Sequence, residues 1–160
     1  MNPEHPPEYQ DAIIWFPADA GLEPIYIVLN ARFEPGGVTG VGEDVSGIWL
    51  AGAGTGLGAP IPTRIADQLR GQTFRDFDAF RKAFWTAVGN DPELCSQFIP
   101  DNIERMRNGN APKARYRDTA GGKSSFELHH VDWISKGGDV YNVDNLRVNT
   151  PKNHIEIHRK

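Results

Sequence analysis

The sequence predicts an α+β protein: a short β-rich N-terminal piece, a helical body, and a strand–turn–strand–helix unit at the C-terminal end. Three observations carry this reading. Two short apolar runs, IIWF (13–16) and IYIVL (25–29), flank a connector rich in turn residues, FPADAGLEP. The stretch FRDFDAFRKAFWTAV (74–88) repeats Phe77, Phe80, Phe84 and Val88 at helical spacing. Near the end, Gly137-Gly138 mark a turn and Thr150-Pro151 mark a helix start.

Composition sets the outer bounds. The chain has 160 residues, 39% hydrophobic and 24% charged, which fits a soluble globular class. No apolar run approaches the roughly 18 residues of a membrane span, so no span is expected. The opening MNPEHPPEYQ has neither a basic start nor an apolar run, so no secretory signal is expected there. The single cysteine, Cys95, excludes an intrachain disulfide and a cysteine-built zinc site, and is expected to pack quietly in a helix. The net charge of −4 is uneven: residues 1–60 carry eight acids and one basic residue, Arg32, leaving +3 on residues 61–160. Two segments with different tasks, or ordinary surface variation, account for this equally well.

Along the chain, residues 1–10 are proline-rich and expected to be loose, with His5 a bystander. IIWF and IYIVL read as two strands. Residues 35–60 are dense in glycine and read as mostly loop, with a short ordered piece at GIWL (47–50). GAGTGLG (52–58) lacks the Lys-Ser/Thr that a phosphate loop requires and reads as linker. Helices are expected over 60–70, with Pro62 near the start; over 74–88; from Asp91 as N-cap with Pro92 at the first helical position; and over 100–109, stopped by Gly109. Residues 110–123 read as a basic loop, either solvated or facing phosphates or an acidic partner.

FELHHVDWI (126–134) reads as a strand, followed by the glycine turn and a second strand or irregular arm through 149. The last segment, TPKNHIEIH, is ambiguous by pattern. Strict alternation in HIEIH suits a strand, whereas Thr150 as N-cap and Pro151 at the first position suit a helix. The cap favours the helix, which places His154 and His158 one turn apart on the same face. Four of the five histidines lie in this region: His129, His130, His154 and His158. Two imidazoles from a helix and one from a strand would give a three-ligand open metal site. On a strand, His129 and His130 point to opposite faces, so only one readily joins, and the other is left for another task.

At this point the motifs carry a resemblance. ELHH, ISKGGDVYNVDN and TPKNHIEIH, in this order and spacing, resemble the HNH nuclease module of the colicin and S-type pyocin DNases. GAPIPTRIADQLRGQTF, FDAFRKAFWTAV and NDPEL resemble the same cytotoxic domain. The likeness spans roughly residues 30–160, with the ββα-metal motif at 126–159. Residues 1–29 resemble the end of the β-rich translocation-type segment that precedes the nuclease in S-type pyocins. The resemblance implies that His129, His154 and His158 bind one divalent metal ion (zinc, nickel or magnesium). It implies that His130 is the general base, that Glu127 orients groups at the site, and that Arg32 reaches the scissile phosphate. It further implies that Asn145 holds the loop and His130 by hydrogen bonds. Lys123 stands where the family often has arginine, as a phosphate contact. Trp133 replaces a common proline and Asn153 a common arginine, and neither is expected to touch a ligand.

The implied function is a metal-dependent, non-specific endodeoxyribonuclease, the killing domain of a bacteriocin. Its partners would be double-stranded DNA and a small acidic immunity protein docking near residues 98–123. It would be released by the producer and act in the cytoplasm of the target bacterium. The chemistry is coherent: an imidazole of ordinary pKa near 6.5 can take a proton from water at neutral pH, and a cation and an arginine can balance phosphate charge. A different class remains as the alternative: a non-catalytic ββα DNA-binding module with a structural metal.

Overall fold

The computed structural model describes residues 10–15 and 25–158, with side chains described from Ala31 onward. The loose start including His5, and the FPADAGLEP connector, fall outside the described residues. The two apolar runs form strands β1 (Gln10–Trp15) and β2 (Ile25–Asn30). They pair antiparallel with Ile13 opposite Ile27. β3 (Gly36–Gly37) pairs with β5 (Thr73–Phe74), and so Phe74, where the sequence predicts the helix over 74–88 to start, belongs to a strand.

The helical body is built around one amphipathic helix. α1 (Thr63–Leu69) follows Pro62, whose fixed φ suits the position before a helix. α2 (Phe77–Asn90) starts where Asp76 accepts a hydrogen bond from the Ala79 amide at 2.8 Å. Phe77, Phe80, Phe84, Trp85 and Val88 are all buried along its inner face. At roughly 1.5–3 kcal/mol per buried large apolar side chain, this one face supplies much of the driving force for folding. α3 (Pro92–Cys95) is capped by Asp91, which accepts from the amides of Glu93 and Leu94. α4 (Pro100–Arg107) ends before Gly109, whose φ of 85° is a left-handed stop. α2 meets α4 through Gly89, where an added Cβ would lie 2.9 Å from the Arg107 amide nitrogen.

The C-terminal region forms a three-stranded antiparallel sheet in the order β4-β7-β6. β6 (Glu127–His130) is shorter than the sequence suggests, because the chain turns into a 3-10 segment at Ile134–Lys136. β7 (Leu146–Asn149) pairs His129 with Arg147 and His130 with Leu146. β4 (Ala59–Pro60) comes from the glycine-rich stretch and covers the other edge of β7. α5 (Pro151–His158) follows at once; Thr150 Oγ1 accepts from the Asn153 amide at 3.1 Å, the cap expected from the sequence. Mixed helix and sheet is therefore the fold class.

The glycine-rich stretch is irregular over most of its first half, as the sequence suggests, but the short ordered piece at 47–50 runs on into the segment read as linker. A 3-10 helix over Trp49–Gly54 packs under α5, where the Ala53 carbonyl accepts from the Thr150 amide at 3.0 Å. Gly58 has φ 103°, and a Cβ there would meet Asn149 Oδ1 at 2.6 Å. The glycines permit close approach to the sheet rather than freedom from it. Among the described residues no helix is long and apolar enough to cross a membrane.

Candidate metal centre

Four imidazoles are sorted by the two faces of β6. Successive strand residues point oppositely, and the structure places His129 toward α5 and His130 toward α2. The His129 ring lies 5.2 Å from that of His154 and 5.6 Å from that of His158, centroid to centroid. His154 and His158, one turn apart on α5, have centroids 4.6 Å apart. One ligand nitrogen from each of the three lies within 4.8 Å of the others. His129 and His154 are buried, at 1% and 6% exposure, and His158 is half-buried.

The donor set fits a cation. His154 Nδ1–H donates to Glu127 Oε2 at 2.7 Å, so the lone pair of the neutral ring sits on Nε2. That nitrogen is 2.9 Å from His158 Nε2. Two imidazole nitrogens at this distance must share an electrophile, a proton or a metal ion. Three neutral imidazoles are a donor set that suits zinc and related divalent ions. Burial pushes the Glu127 carboxyl up, but the hydrogen bond from His154, together with the Lys123 ammonium, holds it below its usual value. Lys123 Nζ lies 3.4 Å from Glu127 Oε1 and is largely exposed. The lysine expected to face a phosphate thus also steadies the carboxylate behind a ligand.

On the other face, His130 is fully buried, with its ring 4.8 Å from that of Phe77. Its Nε2–H donates to the Val140 carbonyl at 3.0 Å. A carbonyl only accepts, so this bond assigns the neutral ring's lone pair to Nδ1. The Arg32 guanidinium carbon lies 5.1 Å from the Phe77 ring centroid, on an aromatic shared with His130. Phe77, expected only as core, is therefore the surface on which both side chains rest.

Asn145 does not bond His130 directly, contrary to the expectation from sequence. Its Oδ1 accepts from the Asp132 amide at 2.7 Å, and its Nδ2 donates to the carbonyls of Asp132 at 3.1 Å and Asp139 at 2.9 Å. It ties the two ends of the 132–139 loop together, and Val140, next in sequence, carries the carbonyl that holds His130. Trp133 also departs from expectation. Its ring lies 5.4 Å from that of His158, against a ligand candidate rather than away from one. Asn153 touches no imidazole; its amide donates to the carbonyls of Ala53 and Gly56 and to Asn149 Oδ1, fastening α5 to the glycine-rich platform.

A strand–strand–helix unit holding a three-histidine centre on a helical body is the class that fold and site define. The comparisons with known proteins agree on the family. Residues 36–160 match the family described as Colicin/Pyocin-S2, DNase domain, and residues 2–28 match that described as S-type Pyocin. The chain belongs to the colicin and pyocin DNase domain family. It is 52% identical to Pyocin-S2 of Pseudomonas aeruginosa over 151 residues, which is 94% of this chain and 22% of that protein. It is 56% identical to Colicin-E8 of Escherichia coli over 126 residues, 79% of this chain and 62% of that protein. The chain thus spans about a fifth of the pyocin's length.

Solved structures agree. The pyocin AP41 DNase–immunity complex superposes with a TM-score of 0.77 at 48% identity, covering 79% of this chain and 98% of that one. The mutant nuclease domain of pyocin S8 with its cognate immunity protein gives 0.75 at 53% identity, covering 77% and 98%.

Proposed function

We propose that the chain is an HNH endonuclease: a metal-dependent, non-specific hydrolase of DNA phosphodiester bonds and the killing domain of a bacteriocin. The observation that carries this reading is the convergence of His129, His154 and His158 on one face of β6, with His130 on the other. Residues 126–159 form the ββα-metal motif on this reading. His129, His154 and His158 would hold one divalent ion (zinc, nickel or magnesium). When bound, the ion supplies positive charge to the phosphate oxygens and the departing 3′ oxygen.

The chain's own residues do the rest. His130 takes a proton from water at Nδ1, because Nε2–H is committed to the Val140 carbonyl. The water oxygen bonds to phosphorus as the bond from phosphorus to the 3′ oxygen breaks. Arg32, resting on Phe77, adds a cation for the phosphate, and Lys123 a second. Glu127 holds His154 in its ligating tautomer, and Asn145 holds the loop that holds His130. Contacts of this kind go to the backbone of the duplex, so little sequence preference is expected.

On the same reading, residues 1–29 are the end of a translocation-type segment and 30–160 the cytotoxic domain, supported by the separate S-type Pyocin match to residues 2–28. The partner would be a small acidic immunity protein docking near 98–123, where Lys113, Arg115, Tyr116 and Arg117 are exposed. The solved relatives are complexes with immunity proteins, which supports this partner. The protein would leave its producer as a bacteriocin and act in the target's cytoplasm.

One observation favours a second reading, a non-catalytic DNA-binding module with a structural metal: His130 has no exposed surface. Nicking of supercoiled plasmid separates the two. On the first reading the metal-loaded chain converts supercoiled to open-circular DNA and loses this activity when a chelator is added. Binding without nicking, across zinc, nickel and magnesium, would favour the module.

A further inference from the structure

We infer that Trp133 is a positioning residue: its indole is the wall that holds the His158 imidazole in ligating orientation. His158 closes the described span of α5, and its ring stands against those of His129 and Trp133. His154, by contrast, is fixed by Glu127 at 2.7 Å. The Trp133 ring stands 5.4 Å from the His158 ring at an interplanar angle of 40°. Lys136 Nζ lies 5.0 Å from the Trp133 ring centroid, adding a cation to the indole.

The wall is rigid because its backbone is. The Trp133 carbonyl accepts from the amides of Lys136 at 2.9 Å and Gly138 at 3.0 Å. A Cβ on Gly138 would sit 1.8 Å from the Asp132 carbonyl oxygen, so the loop closes as tightly as a glycine allows. Asn145 bonds the Asp132 amide and carbonyl one residue before the indole. Trp133 is therefore aimed by a braced loop, and the His158 ring of α5 packs against it. The inference rests on reading the three histidines as a metal site.

Trp133 has φ −61°, a value proline adopts without strain, so Trp133→Pro removes the ring and leaves the local backbone suited. The full chain is titrated with zinc against a chromophoric chelator, as wild type, Trp133→Pro and Trp133→Phe. Melting of the metal-free proteins and duplex binding are followed alongside. The expected result is zinc affinity weakened roughly 2–10-fold in Trp133→Pro, the scale of an aromatic pair, with faster release. Trp133→Phe should recover most of the loss, and metal-free melting should not move. Zinc should also change tryptophan emission more in the wild type than in Trp133→Pro, since the Trp133 ring lies 5.4 Å from that of His158. Should Trp133→Pro melt early without metal, Trp133→Leu is read instead by the same criteria. Unchanged zinc affinity and release in the ring-less variant overturn the inference, including the case in which only duplex binding falls. Failure of the unaltered chain to bind zinc would overturn the metal-site reading itself, and the inference with it.

Discussion

Glu127 Oε2 lies 2.7 Å from His154 Nδ1, and this one bond decides which nitrogen of a buried imidazole faces its two neighbours. Replacing the carboxylate by an amide keeps an acceptor for Nδ1–H but removes the charge that orients the imidazole and makes it more basic. Glu127→Gln should therefore weaken metal affinity by about 10–100-fold, measured by competition titration, with the fold intact by circular dichroism. The carboxyl also has a pH signature. Its folded-state value is lowered, so its contribution to stability is present above the unfolded value of about 4.3 and is lost as pH falls through the lowered folded one. The metal-free wild type should accordingly lose stability more steeply in that acidic window than Glu127→Gln, as read from urea midpoints.

The two faces of β6 should separate in kinetics. His130→Ala is expected to lower plasmid nicking by about 10²–10⁴-fold while metal affinity stays within error. His158→Ala should lose both metal and nicking. Equal loss of metal in the two variants would contradict the division of labour between the faces.

Asn145 makes three side-chain hydrogen bonds within a partly buried loop. Asn145→Ala should cost about 2–4 kcal/mol of unfolding free energy, the scale of bonds lost with buried partners left unmade. Nicking should fall as well, because the loop carries the Val140 carbonyl on His130. Chemical denaturation and plasmid assays on one preparation read both effects.

Thr150 caps α5 through a 3.1 Å bond to the Asn153 amide. Thr150→Ala should cost about 1 kcal/mol and lower the melting temperature by about 2–4 °C, whereas Thr150→Ser should be near neutral.

Removing the metal should lower melting too. At a free ion concentration of about 1,000 times Kd, binding contributes about 4 kcal/mol, and a chelator should abolish that increment in the wild type and change little in His154→Ala.

Local chemistry made much of this legible in advance. Asp91-Pro92 and Thr150-Pro151 each combine a cap with a residue that suits the first helical position, and both start helices where expected. The i,i+4 pair of His154 and His158 and the alternation of His129 with His130 follow from periodicity alone. What escaped depends on contacts far apart in sequence. Nothing in GAGTGLG says that its carbonyls will receive Asn153 from a hundred residues away, or that its glycines serve close packing. Phe77 reads as one more core aromatic until His130 and Arg32 are found on it. Trp133 looks like a neutral departure because the residue it touches lies on another element. Asn145 is expected from the sequence to hold the loop and His130, and its link to His130 runs through the loop, because the partner of His130 is a backbone oxygen with no side-chain signature.

The stretch from Asp132 to Val140 touches His130 through its last carbonyl and His158 through its second side chain. Such a segment cannot be edited piecemeal. A chimera that borrows half of it from a relative would set one imidazole to the donor's geometry and leave the other in the recipient's. Exchanged whole, with the asparagine that clasps it, it should travel as an interchangeable cassette.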